Sequence, residues 1–331
     1  MSDHPGFYLD QDDPRLFQEH ALQLTVLQHI DHICRSHSLR YYLVFGTLLG
    51  AVRHQGFIPW DDDLDIAMPR TDFERFCEIA GDHLDASKYF LQTETTDPMY
   101  PNTFAKIRCE RTLVQEKASI KGVHHEGVYV DIFPLDHAPD RLPAKKLRQW
   151  RYLFYHLSIR RKIQGYQPER WQSRISTYFG HRMSLEWLRT KRNKVIYGDA
   201  ERLKHTRTYA AYPASASEVP SSFIAREPFE RTAELSFCGH PVLVPEGYDA
   251  HLREYFGDYM RLPDEDKRKG HLVKEVEIDT LFWRDEILAA WPKVAPGRLL
   301  PKELRDAIQH EASDSEYQVT QPLPDRKVSA T

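Results

Sequence analysis

The spacing of apolar residues predicts a helix near the start of the chain and a short strand after it. Between residues 16 and 37, four aliphatic side chains recur at intervals of four, four and three positions: Leu22, Val26, Ile30 and Ile33. This is the repeat of a helix with one buried face. The aromatic and β-branched run 41–45 then predicts a buried strand that turns sharply at Gly46, and residues 47–54 suit a short helix.

Downstream, the pattern changes between alternating and helical periods. Residues 63–68 alternate polar with apolar side chains, which predicts a strand with Asp63 and Asp65 on one face. An amphipathic helix is predicted next, around residues 71–84. Further predicted elements are strands over 103–108 and 127–133, a hairpin over 233–244 and a helix near 248–256.

This order of elements predicts an α/β (α+β) fold in which a mixed sheet is flanked by helices. Residues 1–140 are predicted to form the core and residues 141–222 a basic, mainly helical insertion. Residues 223–300 would return to the catalytic unit. The polar segment 301–331 has little apolar periodicity and is predicted to be disordered.

Composition narrows the class of protein. A chain of 331 residues with 41% apolar side chains can bury a sizeable core. It has no apolar run near the ~20 residues that cross a bilayer, and residues 1–5 are polar rather than typical of a secretory signal. We therefore expect a cytoplasmic protein. Its 4 cysteines form no C-x-x-C pair, which indicates reduced, buried thiols rather than a zinc knuckle or disulfide framework.

Charge is distributed unevenly along the chain. The whole protein carries −4, but residues 145–194 contain 14 Lys or Arg against 2 acids, a net of +12. Aromatic residues are interleaved with these cations. Such a segment suits an anionic partner, which is a phosphorylated or lipid-linked glycan, the cytoplasmic membrane leaflet or nucleic acid. Solvated basic helices with no partner explain it equally well.

Three carboxylates are predicted to share one edge of a sheet. Asp63 and Asp65 stand at i and i+2 of one strand, and Asp131 lies centrally in another. Acids on apolar strands are costly unless a positive partner neutralises them. One or two Mg²⁺ ions, or Mn²⁺, would do so, and in phosphoryl transfer such ions activate the attacking hydroxyl and stabilise the leaving oxygen.

A phosphate-binding turn is predicted beside these acids. Gly46 lets the backbone approach a phosphate, and the helix that starts at Thr47 points N–H groups at it. Each feature also has an ordinary explanation: an isolated D-x-D is often a solvated turn, and Gly46 could simply end a strand. Asp131 could face water at an edge. Asp61 and Asp62 are left outside the predicted metal-binding set.

Two longer motifs resemble the signature of the LicD family of phosphotransferases. The first runs from Gly46 to His54 and continues over residues 56–66, and the second is Asp131-Ile132-Phe133-Pro134-Leu135-Asp136. Similarity extends to residues 104–108 and to 255–263 with His271 downstream. The resemblance covers about residues 20–275 and is weak through the basic segment.

The resemblance implies a polymerase-β-like nucleotidyltransferase core and a transfer of phosphocholine from CDP-choline to a glycan hydroxyl, with release of CMP. Relatives use other CDP-alcohols, such as CDP-ribitol. The implied acceptor is a cell-envelope glycan of the lipopolysaccharide or teichoic acid type. If this glycan is still attached to its lipid, the protein would contact the inner face of the membrane through residues 145–194.

The resemblance also implies roles for individual residues. Asp63, Asp65 and Asp131 would hold the metal, and Asp131 could help to deprotonate the acceptor. Lys106 would place a positive charge beside the diphosphate. The implied donor-binding residues are Gly46, Thr47, Arg53, Arg108, Tyr259 and His271. A solvated strand face, for Lys106 and Arg108, and ordinary structural roles, for the others, are the alternatives.

Two other classes of function remain open from the sequence. An NTP-dependent nucleotidyltransferase acting on RNA or protein would use the same acids, but no RNA-binding motif supports nucleic acid as a partner. A binding module without turnover is the third class, which the intact acids speak against. The long spacing from Gly46 to Asp63, and Thr47 in place of the usual Ser, are shared with the LicD signature and count against a polymerase-like function.

Overall fold

A mixed sheet lies at the centre of the protein. The structure is a computed structural model that describes these residues: 7–116, 125–164, 178, 180–212, 222–271 and 273–309. The described α-helices are α1 (Pro14–Ser36), α2 (Phe45–His54), α3 (Arg70–His83), α4 (Leu142–Gln164), α5 (Leu185–Tyr197), α6 (Ala200–Leu203), α7 (Tyr248–Phe256) and α8 (Arg284–Val294). Short 3₁₀ turns lie at Glu227–Phe229 and Glu265–Lys267.

The strands form one larger sheet and two smaller pairs. In chain order they are β1 (Tyr42–Leu43), β2 (Asp65–Pro69), β3 (Tyr89–Gln92), β4 (Ala105–Cys109), β5 (Thr112–Glu116), β6 (Tyr129–Ala138), β7 (Thr208–Ala210), β8 (Phe223–Ala225), β9 (Thr232–Phe237), β10 (His240–Pro245) and β11 (Val273–Ile278). The main sheet has the order β1-β2-β6-β4-β3, and β7 and β8 extend it from the end of β6. Strands β2 and β6 run parallel, whereas β4 is antiparallel to β6.

The two faces of this sheet have different surroundings. Ile66, Ile107 and Ile132 belong to the main hydrophobic core, which also contains the apolar face of α1. Side chains alternate along a strand, so Asp65, Lys106 and Asp131, which neighbour these isoleucines, project from the opposite face. A second apolar cluster lies on that face and includes Ala67, Phe104 and Phe133. These charged residues therefore border a hydrophobic layer on their own side of the sheet.

The smaller strand pairs bring distant parts of the chain to the sheet. The β9–β10 hairpin places Phe237, Val242 and Val244 in the main core. Strand β11 pairs with β5, and its start lies just beyond residues 270–271. These two residues contact Asp62 in residues 61–63, which precede β2 and which we call the acidic loop. The C-terminal segment is thus part of the same unit as the sheet.

The expected mixed α/β architecture is confirmed. Helix α1 spans residues 14–36 where 16–37 was predicted, the hairpin turns at Cys238 and Gly239, and α7 covers the predicted 248–256. Two strand predictions were wrong in detail. The strand expected over 41–45 is only Tyr42–Leu43, and the chain turns at Phe45, with φ 49°, rather than at Gly46.

The second difference concerns the acids. Strand β2 begins at Asp65, so Asp63 lies in the loop before it and does not share a strand with Asp65. Asp65 is the first residue of β2 that pairs with β6, opposite Asp131. Asp63 therefore reaches the site from a loop, and its position depends on what holds that loop.

The described residues of the predicted basic insertion are mainly helical, but some of them also join the sheet. The insertion contains α4, α5 and α6, yet its strand β7 pairs with the end of β6 and with β8, across the predicted boundary at residue 222. Among the described helices, none has the length and apolar character needed to cross a bilayer. The prediction of disorder from residue 301 is wrong for residues 302–309, which are helical and bury Leu304. Residues 310–331 lie outside the described part.

A close backbone contact positions the loop that leads to the acids. A Cβ atom at Gly50 in α2 would lie 2.5 Å from the carbonyl oxygen of Gly56, so only glycine fits there.

We expect Gly50→Ala to lower the free energy of unfolding by about 1–3 kcal/mol through overpacking, measured by urea denaturation. Gly81→Ala in α3 is the control, since an added Cβ there meets nothing within 4 Å. Equal stability of the two variants would contradict this account of the loop.

Candidate functional site

Three charged side chains form a row across neighbouring strands. Asp131 on β6 is in register with Asp65 on the parallel strand β2 and with Lys106 on the antiparallel strand β4. The Nζ atom of Lys106 lies 2.6 Å from Oδ1 of Asp131, and both side chains are buried. Lys106 also sits over the ring of Tyr129, 3.3 Å from its centroid. This buried ion pair constrains the position of the Asp131 carboxylate. Breaking the pair is costly, because removal of either partner would leave an uncompensated buried charge.

The loop before β2 adds further carboxylates to this row. Burial and the charges of Asp63 and Asp131 raise the pKa of Asp65 well above its usual value. Burial likewise raises the pKa of Asp63 to about 6, with contributions from Asp62 and Asp131. For Asp61, burial and the charges of Asp63 and Asp62 raise the pKa well above normal. Asp61 therefore belongs to the same cluster, although the sequence analysis left it outside.

Asp62 points to a different partner. Its Oδ1 atom accepts a hydrogen bond from the backbone N–H of His271 at 2.9 Å and lies 2.9 Å from Nδ1 of the same residue. Burial opposes ionisation of Asp62, but these hydrogen bonds from His271 lower its pKa. His271 is half-exposed, and its ring also approaches Asp63 at 3.7 Å. The predicted site residue His271 is thus brought to the acids, and Asp62 is what holds it there.

Two side chains of helix α1 hold the backbone of the acidic loop in place. The ring Nε2–H of His20 donates to the carbonyl of Asp61 at 2.7 Å, and Nε2–H of Gln23 donates to the carbonyl of Asp62 at 2.8 Å. Burial lowers the pKa of His20 to about 4, so the ring is neutral at pH 7. It stacks on Phe57 with centroids 3.9 Å apart. Both side chains hold the loop through hydrogen bonds to its backbone carbonyl groups.

His20 and Gln23 were not predicted as site residues, although the sequence contained a signal for them. Along α1 the buried positions 16, 20, 23, 27, 30 and 34 follow the helical repeat, and all except 20 and 23 carry apolar residues or cysteine. Two polar side chains at core positions of a helix require buried hydrogen-bond partners. That requirement predicts a buried polar contact, though not which segment supplies it.

The start of α2 also lies against the acids. A Cβ atom at Gly46 would be only 2.7 Å from Oδ2 of Asp61. The Oγ1 atom of Thr47 accepts a hydrogen bond from the backbone N–H of Asp65 at 2.8 Å, and Thr47 is buried. The structure therefore places both predicted phosphate-binding residues next to the carboxylates. Their contact with a nucleotide stays a prediction.

Three other predicted donor-binding residues have protein partners. Arg53 donates from Nη1 to the carbonyl oxygen of Tyr259 at 2.8 Å, and the Tyr259 hydroxyl donates to Oδ1 of Asp249 at 2.6 Å. Arg108 donates to Oε1 of Gln92 and to the carbonyl oxygen of Gly127, and it is buried. These contacts tie strands and loops together around the site. Direct roles in donor binding stay predictions.

The chemistry of the carboxylate oxygens at this site fits a hard divalent cation as ligand partner. Asp63, Asp65 and Asp131 offer carboxylate oxygens, which Mg²⁺ prefers, and burial of several like charges favours a cation between them. Within the described residues, however, no three or more His, Cys, Asp or Glu side chains are grouped so that they could hold a metal ion by themselves. Mg²⁺ characteristically binds one or two carboxylates together with substrate phosphates and water, so an incomplete protein ligand set is compatible with a metal that also binds the substrate.

The hydrogen bond between Thr47 and Asp65 provides a test of how the site is held. We expect Thr47→Val, which keeps the shape but removes the acceptor, to lower the free energy of unfolding by about 1–3 kcal/mol because a buried N–H loses its partner. Thr47→Ser keeps the hydroxyl and should stay close to the original protein. Urea denaturation of the three proteins measures this. A valine variant as stable as the serine variant would contradict the role assigned to Thr47.

Comparison with known proteins agrees with this arrangement. Residues 38–156 match the family described as LicD/FKTN/FKRP, nucleotidyltransferase domain. The lipopolysaccharide cholinephosphotransferase LicD of Haemophilus influenzae is 27% identical over 284 residues, which covers 80% of this chain and 98% of that protein. An uncharacterized protein of Rickettsia typhi is 44% identical over 66 residues, covering 20% of this chain and 21% of that protein. Residues 38–156 are therefore similar to the LicD-family domain, and this range includes the row of Asp65, Lys106 and Asp131.

Proposed function

We propose that the protein is a metal-dependent phosphotransferase that moves phosphocholine, or a related phospho-alcohol, from a CDP-alcohol to a hydroxyl of a cell-envelope glycan and releases CMP. The row of Asp65, Asp131 and Lys106 carries the proposal, because it sets buried carboxylates beside a buried cation within the matched domain. The name of the Haemophilus relative supports phosphocholine as the transferred group and lipopolysaccharide as the type of acceptor. A teichoic acid is the other acceptor type to test.

In this proposal, Asp63, Asp65 and Asp131 hold one or two Mg²⁺ ions, or Mn²⁺. When bound, the metal supplies positive charge to the diphosphate and makes an attacking hydroxyl more acidic. Asp131 accepts the proton of the acceptor hydroxyl, and its ion pair with Lys106 keeps the carboxylate in position. Lys106 also places a positive charge where negative charge builds up in the transition state.

The start of α2 is the proposed phosphate-binding segment. Helix N-termini carry unpaired N–H groups that favour anions, and Gly46 leaves its backbone accessible at close range to the acidic cluster. We assign contacts with the nucleotide phosphates to Gly46 and Thr47. His271, half-exposed beside Asp62, is assigned to the donor.

We also propose that the sheet is a polymerase-β-like nucleotidyltransferase core. The parallel pair β2–β6, with acids at the start of one strand and within the other, supports this assignment, as does the description of the matched family. An NTP-dependent nucleotidyltransferase would use the same acids. The name of the relative, a cholinephosphotransferase, favours transfer of phosphocholine over transfer of a nucleotide from an NTP.

The donor and the acids can be tested together. With Mg²⁺ and a lipopolysaccharide acceptor, we expect the purified protein to release CMP from CDP-choline, and chelation of the metal to stop the reaction. Asp63→Asn should reduce turnover by about 10²-fold or more, because it removes a charged metal ligand. The measurement is CMP production by chromatography, with thermal unfolding to confirm that the variant is folded.

Asp82→Asn is the matched control, since Asp82 is exposed on α3 and makes no contact with the site residues described above. A fully active Asp63→Asn variant would contradict the assignment of the acids. Pyrophosphate release from an NTP, without CMP release from any CDP-alcohol, would favour the alternative donor. No product from either donor class would favour a binding module.

We further propose that the basic segment 145–194 contacts an anionic membrane on which a lipid-linked acceptor is held. The first half of α4 exposes Leu147 and Trp150, at 57% and 64%, beside exposed Lys146 and Arg151. Residues at i, i+3 and i+4 share a helix face, so the apolar and basic side chains lie together. Tryptophan at an interface and basic residues near anionic lipids each favour membrane binding.

Vesicle binding tests this surface. We expect the protein to float with vesicles that contain phosphatidylserine at low salt and to dissociate as salt is raised. The double variant Lys146→Glu, Arg151→Glu should bind about thirtyfold or more weakly, since each basic residue contributes on the order of 1 kcal/mol. Arg75→Glu on α3, an exposed residue elsewhere, should bind normally. Equal binding by both variants, or no binding by the original protein, would contradict the membrane proposal.

A further inference from the structure

Three aromatic rings meet beside the start of α2, and we call them the aromatic corner: Phe45, Phe133 and Tyr255. The rings of Phe45 and Phe133 are edge to face, with centroids 5.6 Å apart and an interplanar angle of 89°. Tyr255 lies 5.6 Å from Phe45 at an angle of 50°. Phe133 is buried, Phe45 is half-buried and Tyr255 is 38% exposed. The corner therefore has a buried base and an outer wall that faces solvent.

The aromatic corner borders the carboxylates directly. Phe133 follows Asp131 by two positions in β6, so both side chains leave the same face of the sheet about 7 Å apart along the strand. Phe45 immediately precedes Gly46, which lies against the carboxylate of Asp61. A ligand whose phosphate sits at the acids would thus reach the corner with a short substituent.

The backbone at Phe45 indicates that the position of its ring matters. Its φ of 49° lies in the left-handed region, which is unusual for a bulky side chain. Strained residues persist where the surroundings hold them firmly, and they cluster at ligand sites. The contacts with Phe133 and Tyr255 hold this ring at the entrance to α2.

The chemistry of the aromatic corner favours a cation without N–H groups. Aromatic faces attract positive charge, and a quaternary ammonium is recognised in this way because it carries charge but donates no hydrogen bond. The neighbouring His251, 6.1 Å from Tyr255, adds no competing charge at pH 7, because burial lowers its pKa to about 4. An uncharged polyol would gain little from the same surface.

We propose that the aromatic corner binds the trimethylammonium group of a choline-bearing donor while the carboxylate end binds its diphosphate. This inference rests on the proposed function and deepens it, since it identifies how choline is distinguished from an uncharged alcohol. Stacking of the cytosine base on the same rings is the competing explanation, and the experiment separates the two.

Equilibrium binding provides the test, because it does not depend on turnover. Calorimetry with Mg²⁺ would compare CDP-choline with CDP-glycerol, which has the same nucleotide and diphosphate but an uncharged alcohol. We expect Tyr255→Leu to weaken CDP-choline binding about three- to thirtyfold and to leave CDP-glycerol binding unchanged. Tyr255→Phe keeps the aromatic face and should bind CDP-choline as the original protein does.

A matched control is Tyr197→Leu, since Tyr197 is 39% exposed on α5 and stacks on Arg70 outside the aromatic corner. Its binding of CDP-choline should not change. Phe45→Leu is a second test variant with the same expected selectivity as Tyr255→Leu. Thermal unfolding checks that each variant is folded.

Several results would overturn the inference. If the original protein bound CDP-choline no more tightly than CDP-glycerol, or if Tyr255→Leu left CDP-choline binding unchanged, the corner would not recognise choline. Equal weakening of both ligands would assign the rings to the cytosine base instead. If choline-dependent binding is present but no CMP is released with any glycan acceptor, the proposed function fails while the binding site stands.

Discussion

Burial of several carboxylates in one place is the constraint on which the rest of the site depends. Like charges in a poorly solvated environment repel each other and lose hydration, as the raised pKa values of Asp61, Asp63 and Asp65 show. The protein offsets part of this cost with one buried cation, Lys106, which is paired with Asp131. In the proposed function, a bound divalent cation would relieve the repulsion that remains among the carboxylates. The proposed affinity for a cation and the electrostatic cost to the fold would then have one origin.

The alternation of side chains along β2, β4 and β6 explains how so much charge is compatible with a stable core. Each charged residue of the row has an isoleucine next to it on the other face of the sheet, where α1 packs. The sequence predicted Asp65 and Asp131 at one edge of the sheet for this reason: strand periodicity placed each on a defined face, and the LicD-like motifs indicated that the two strands belong to one site. The register between the strands, and therefore the ion pair of Lys106 with Asp131, could not be predicted, because a shift of one residue would reverse every side chain and nothing local specifies it.

Long-range contacts account for most of what sequence reasoning missed. His20 and Gln23 bind the acidic loop from 41 and 39 positions away in the chain. His271 was predicted as a site residue, but its contact with Asp62, 209 positions away, was not. No local pattern encodes such pairings. Asp62 was left outside the predicted metal-binding set, and its partner His271 could not be identified because it lies 209 positions away in the chain. The left-handed turn at Phe45 was also hidden, since the motif contains a glycine at the next position and a turn is normally assigned to glycine. In each case the sequence contained a local anomaly, which was a polar residue at a helix core position or an aromatic residue before a turn. Only the tertiary structure identifies the contact that explains the anomaly.

The distribution of these contacts also shows how large the functional unit must be. The matched domain, residues 38–156, contains the carboxylates and Lys106, but the groups that hold the acidic loop come from α1 before it and from residue 271 after it. Tyr255, the exposed wall of the aromatic corner, also lies outside that range. Without α1, two backbone carbonyls of the loop would lose their donors, and the main core would lose the apolar face that covers the sheet opposite the acids. Support for the loop and shielding of the core are therefore supplied by the same helix, so the chemistry of the matched domain depends on a unit that extends at least from residue 20 to residue 271.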